Sequence, residues 1–98
     1  MNINKTLNGG KLIINLDGRL DTTTAPDLDQ EVKNSLNDVT ELIFNLANLE
    51  YISSAGLRVL MAAQKAMTGK GSMKIINAND MVREVFDVTG LADVFTIE

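Results

Sequence analysis

"LIFNLANLEYISSAGLRVL", residues 42–60, runs from an apolar stretch through two adjacent hydroxyls, Ser53 and Ser54, into a second apolar pattern of different period. Its opening, with Glu41, reads "ELIFNL" and is short and almost continuously apolar, as in a strand covered on both faces. Past the serines, Leu57, Leu60, Met61 and Met67 recur at helical spacing and predict a helix over 55–68 with these four on its buried face. Gly69 stands where the residue that ends such a helix belongs.

The same alternation extends in both directions. Upstream, Asn8-Gly9-Gly10 separates a short opening strand from "KLIINLDGRL", and the two are expected to form a hairpin. In "TTTAPDLDQEVKNSL" the period changes, with Ala25, Leu28, Val32 and Leu36 on one helical stripe. Thr24 is the expected N-cap, Pro26 is tolerated in the first turn, and Asp27 is placed to complete a capping box. Downstream, "MKIINA" is a fourth strand. Asn79 or Asp80 caps a third helix built on Val82, Val85 and Phe86, which ends at Gly90, and "VFTI" adds an edge strand. Strands alternating with helices require parallel crossovers. The expected fold is one α/β domain over residues 1–98, a mixed sheet of four or five strands with helices mainly on one face.

Composition removes several classes of function. Hydrophobic residues at 45% and charged residues at 22% describe an ordinary folded chain, and 98 residues suit one core rather than two. Nine basic against thirteen acidic residues, net −4 and without a basic cluster, do not suit phosphate-backbone binding, so no nucleic-acid partner is expected. Cysteine and histidine are both absent. That removes disulfides, thiol chemistry, the usual zinc ligands and every Ser–His nucleophile, so neither an enzyme nor a metal or other cofactor is expected. No secretory segment or apolar span is visible, which leads to the expectation of a cytoplasmic protein with no membrane insertion. On the same ground Asn4-Lys5-Thr6 reads as a chance glycosylation sequon.

Two fragments imitate functional motifs. "TGKGS" at 68–72 has the letters of a phosphate loop, but it leaves a helix and enters a strand, the reverse of what cradling a phosphate needs. Asp17 and Asp21 flank Gly18 without the further ligands or second acid that metal or glycosidase chemistry requires. Met61, Met67 and Met73 read as gap-filling core side chains.

The serine pair remains. A serine before a helix is first of all a cap, its oxygen accepting an amide proton of the first turn. Here the hydroxyls also stand at a strand's carboxyl end, where open α/β sheets place ligands and where a helix N-terminus tolerates a phosphate. Gly56, lacking a side chain, is expected to leave room for an approaching molecule.

Three stretches carry a more specific likeness: "LDGRLDTTTAPDL" at 16–28, "LIFNLANLEYISSAGLRVL" at 42–60 and "VREVFDVTGLADVFTI" at 82–97. In this order and spacing they resemble the STAS domain of the bacterial anti-sigma factor antagonists over nearly the whole chain. The resemblance implies a partner-switching regulator that binds an anti-sigma factor serine kinase when unphosphorylated, is released by serine phosphorylation, and is reset by a serine phosphatase. Many members read Asp-Ser-Ser/Thr-Gly where this chain reads Ser53-Ser54-Ala55-Gly56. Aligned through Gly56, Ser53 replaces the acid, Ser54 meets the first hydroxyl residue and Ala55 replaces the second. The resemblance thus implies Ser54 as the phosphoacceptor, with Ser53 as the alternative. It implies a partner-binding surface of Asp21, Thr22, Thr23, Ser53, Ser54, Gly56, Leu57 and Arg58. A phosphate there would repel a docked partner by charge, with little change in the fold. The alternative within the same fold is a docking subunit of a lipid-transport or other multiprotein complex, in which the serines are never modified.

Overall fold

The computed structural model describes residues 1–98 and places β1 (Asn2–Asn8), β2 (Lys11–Leu20), α1 (Ala25–Ser35), β3 (Glu41–Ile52), α2 (Ser54–Met67), β4 (Ser72–Ile76), α3 (Asp80–Val88) and β5 (Thr96–Ile97) in chain order, with a 3-10 turn at Leu91–Asp93. The five strands form one sheet in the order β1-β2-β3-β4-β5. β1 and β2 are an antiparallel hairpin joined through Gly9 and Gly10, and every later neighbour pairs parallel. The mixed sheet is therefore five-stranded, with three helices, as the alternating pattern implies.

The strand register explains the one-sided architecture. Leu12, Leu42 and Met73 stand in one row across the sheet and Ile14, Phe44 and Ile75 in the next but one. All six belong to a single apolar cluster that also takes Leu28 and Val32 of α1, Leu57, Leu60 and Met67 of α2, and Val82 and Phe86 of α3. The alternate residues of the strands face the other way and are polar in part. There Asn77 donates to Asn45 Oδ1 at 3.1 Å and Asn45 donates to Asn15 Oδ1 at 2.8 Å. Three helices on one face and asparagines on the other follow from period-two alternation on the strands.

Three local expectations are corrected. The third strand does not end at Leu46 but continues to Ile52. Between Asn15↔Asn45 and Asp17↔Asn48, and again between Gly18↔Leu49 and Arg19↔Tyr51, β3 carries one residue more than β2. These two bulges bring Leu46, Leu49 and Ile52, spaced by three, onto the same buried face. Second, Met61 is 45% exposed, and α2 turns Gly56, Val59 and Ala63 inward together with Leu57, Leu60 and Met67. Third, Thr24 occupies the N-cap position of α1 without making a cap bond, and no capping box with Asp27 forms. Asp21 Oδ1 instead accepts from Thr23 N and Thr24 N, in the turn that precedes the helix. By contrast Asn79 caps α3 as expected, accepting from Val82 N at 2.8 Å, and its Nδ2 donates to Leu49 O at 3.0 Å. Gly69 closes α2 with φ +86°, a conformation that side-chain-bearing residues rarely adopt.

A buried Leu or Phe stabilises by roughly 1.5–3 kcal/mol, whereas a cap contributes about 0.5–2 kcal/mol. Leu57, Leu60 and Met67 thus hold α2 against the sheet through its apolar face, whatever happens at its first residue.

Candidate functional site

Adjacent parallel strands bring two strand-to-helix junctions together. β2 and β3 finish on the pair Leu20↔Ile52, and Ser53 N donates to Leu20 O at 2.9 Å. Asp21 follows Leu20 directly. The loop into α1 and the turn into α2 therefore lie side by side at the carboxyl ends of the strands, the usual ligand edge of such a sheet.

The first junction is closed by its own side chains. Asp21 Oδ1 accepts from Thr23 N at 3.0 Å, Thr23 Oγ1 at 2.7 Å and Thr24 N at 3.2 Å. Thr24 Oγ1 accepts from Asp21 N at 2.9 Å and donates to Arg19 O at 2.8 Å. The Thr23 hydroxyl, aided by the Thr23 and Thr24 amides and the Thr24 hydroxyl, holds the Asp21 carboxyl below its usual pKa against a smaller opposing effect of desolvation. Asp21 is thus a fixed negative charge. Arg19 Nε lies 3.9 Å from Asp21 Oδ2, and its guanidinium carbon sits 4.4 Å from the centroid of Tyr51. Arg19 and Tyr51 escaped the sequence reading because their pairing exists only after both bulges of β3.

The second junction is open. Ser53 is the N-cap residue of α2 with φ −101° and ψ 176°, yet its side chain makes no cap bond. Its Oγ is buried and has no hydrogen-bond partner. Ser54, the first helical residue, is exposed. No acidic side chain lies in the first turn. The two hydroxyls that the sequence leaves equivalent are therefore unequal: one is sealed and the other faces solvent.

Of the remaining residues, Thr22, Thr23 and Arg58 are exposed at this end of the molecule. Thr22, Pro26 and Asp29 line one side of a shallow groove of about 430 Å³, and Ala55, Arg58 and Val59 line the other. Gly56 and Leu57 do not join them. A Cβ on Gly56 would come within 2.6 Å of Leu20 Cγ and 3.0 Å of Ile52 Cγ1, so the missing side chain makes room for the core and not for a visitor. Leu57 is 6% exposed and packs inward. No group of three His, Cys, Asp or Glu side chains converges as a metal would need, and no helix is long and apolar enough to cross a membrane.

Comparison with known proteins gives one consistent answer. The family model described as the STAS domain matches residues 2–98. The chain is 32% identical over 90 residues to BtrV of Bordetella bronchiseptica, covering 90% of this chain and 78% of that protein. It is 28% identical over 99 residues to the anti-sigma-B factor antagonist of Staphylococcus aureus (strain NCTC 8325), covering 99% and 92%. Its fold matches the phosphorylated form of the Bacillus cell fate determinant SpoIIAA with a TM-score of 0.78 at 19% identity, over 99% of this chain and 91% of the other.

Proposed function

The chain belongs to the STAS domain family, and on that premise we propose that it is an anti-sigma factor antagonist that switches partners through phosphorylation of Ser54. Unmodified, it captures an anti-sigma factor in the cytoplasm and so frees a sigma factor. The captured partner is a serine kinase. Ser54 Oγ attacks the γ-phosphorus of its ATP, the bond from that phosphorus to the bridging oxygen breaks, ADP leaves, and the hydroxyl proton passes to a base of the kinase. A serine phosphatase hydrolyses the ester and resets the switch. The domain itself supplies no catalytic group and needs no cofactor.

The observation that carries this reading is the inequality of the serines: Ser54 is exposed, while Ser53 Oγ is buried. A kinase needs its acceptor oxygen in solvent, and only Ser54 presents one. The modification adds about −1.5 to −2 of charge beside Asp21, whose carboxylate is held ionised by its own turn. A partner docked over Thr22, Thr23, Ser54 and Arg58 then meets two negative groups where it had met one. Binding is lost through repulsion and desolvation at the interface, and α2 keeps its place because its inward face is untouched.

Intact-mass analysis of the protein from its native host tests this, with the modified residue located by fragmentation. A single added phosphoryl group on Ser54, removed by phosphatase, is the expected result. An unmodified chain under every growth condition, still bound to its partner, defeats it.

A further inference from the structure

The switch described above uses Arg58 only as part of the docking surface, and the structure gives this residue a place that asks for more. Its side chain is exposed and belongs to none of the ion pairs, which engage Lys5, Arg19, Lys33 and Lys74. It stands four residues after Ser54, so the two side chains leave α2 on the same face one turn apart. The first turn of α2 has no acidic residue and no capping side chain, and the one hydroxyl at the N-cap is buried without a partner. The helix start therefore holds an unpaired guanidinium and uncapped amides around an exposed serine.

We infer that Arg58 is an intramolecular clamp for a phosphate on Ser54, a positioning residue that the modification withdraws from the partner surface. This deepens the proposed function and rests on Ser54 as the modified residue. An anion preceding a cation by four residues is the favourable order on a helix, and the phosphate, at the helix start, also complements the helix dipole. The guanidinium fork matches two phosphate oxygens at once. Other charges nearby are already committed. Asp29, across the groove from Arg58, is held by Lys33 at 2.8 Å, and the Asp21 carboxylate is held by Thr23 and Thr24. Neither competes for Arg58. Unmodified, this end of the groove offers a partner one free positive charge. Phosphorylated, it offers a net negative charge and no free guanidinium, so the switch removes an attraction as well as adding a repulsion.

The test installs phosphoserine at position 54 by genetic encoding, so that no kinase is needed, and follows the phosphate by ³¹P NMR titration. An exposed phosphoserine has its second pKa near 6. In the chain with Arg58 intact this value is lowered. In Arg58→Gln it rises by roughly 0.2–0.4 unit relative to that chain, the size of one exposed i,i+4 ion pair, and Arg58→Lys falls between. A purely structural role for Arg58 would not move the phosphate titration, and matched melting temperatures of the unmodified variants check the fold. Equal phosphate pKa values in the parent chain and in Arg58→Gln overturn the clamp. A cognate kinase that leaves Ser54 unmodified would instead defeat the proposed function, without touching the NMR result.

Discussion

The two junctions at the carboxyl ends of β2 and β3 are built on the same plan and finished in opposite ways. Each leaves a parallel strand, turns within a few residues and enters a helix. At Asp21–Thr24 the carboxylate and the Thr24 hydroxyl satisfy the turn from within, four bonds of 3.2 Å or less converging on them from Asp21 N, Thr23 and Thr24. At Ser53–Ser54 no side chain bonds the turn at all. A turn that satisfies itself is a fixed charge, while one left unsatisfied can accept a new group without first giving one up. The contrast teaches that the proposed modification site is the junction with the weaker local bonding, and that its stability is supplied from beneath, by Gly56 and Leu57 in the core.

The largest effect expected from breaking this contrast is on modification. Ser54→Ala abolishes phosphoryl incorporation by the cognate kinase while Ser53→Ala retains it, as radiolabel transfer would show. Incorporation into the first variant at the normal rate would place the acceptor on the sealed hydroxyl. Next comes the support below. Gly56→Ala pushes a methyl against Leu20 and Ile52 and is expected to cost about 1–3 kcal/mol, read as a lowered denaturant midpoint with an unchanged slope. An unaltered midpoint would mean that the close approach at 2.6 Å relaxes freely.

Asp21→Ala opens the closed junction and is expected to lower the melting temperature less than Gly56→Ala does. Its effect depends on pH in a defined direction. Because the folded-state pKa of Asp21 is depressed, its contribution is fully present above the unfolded value of about 3.9 and is lost as pH falls through the folded value. The melting temperatures of the parent and Asp21→Ala chains should therefore converge below about pH 4. A gap between the two curves that does not narrow as pH falls below about 4 would rule this out. The smallest effect is at Ser53. An ordinary N-cap serine costs about 0.5–2 kcal/mol when replaced by alanine. Here the hydroxyl is buried without a partner, so Ser53→Ala should be neutral or slightly stabilising, a result calorimetry can separate from a cap loss.

Much of the architecture was legible because it depends on period and punctuation. The hairpin at Gly9-Gly10, the helices ended by Gly69 and Gly90, the Asn79 cap and the final edge strand are all local signals, and all are present. The second half of β3 was not legible. Leu46, Leu49 and Ile52 are three apart, a spacing that contradicts a strand until two bulges are counted against β2. Met61 was misplaced for a related reason. It lies about 100° around the helix from Leu60, at the edge of the apolar stripe, and whether that edge is covered is decided by the packing, which leaves it 45% exposed.

The candidate site divides in the same way. Residue order alone determined that two hydroxyls stand between a strand and a helix, that no histidine or cysteine can act with them, and that an acidic residue follows the neighbouring strand. Tertiary structure decided which hydroxyl is available: Ser53 Oγ is buried in the folded molecule, where Ser53 N bonds Leu20 O of the neighbouring strand. It also reversed the meaning of Gly56, from space left for a partner to space filled by Leu20, a residue thirty-six positions earlier in the chain. Chemistry that a residue carries in its own side chain can be read along the chain, but access and contact are set by groups distant in sequence, and only the folded sheet brings those groups together.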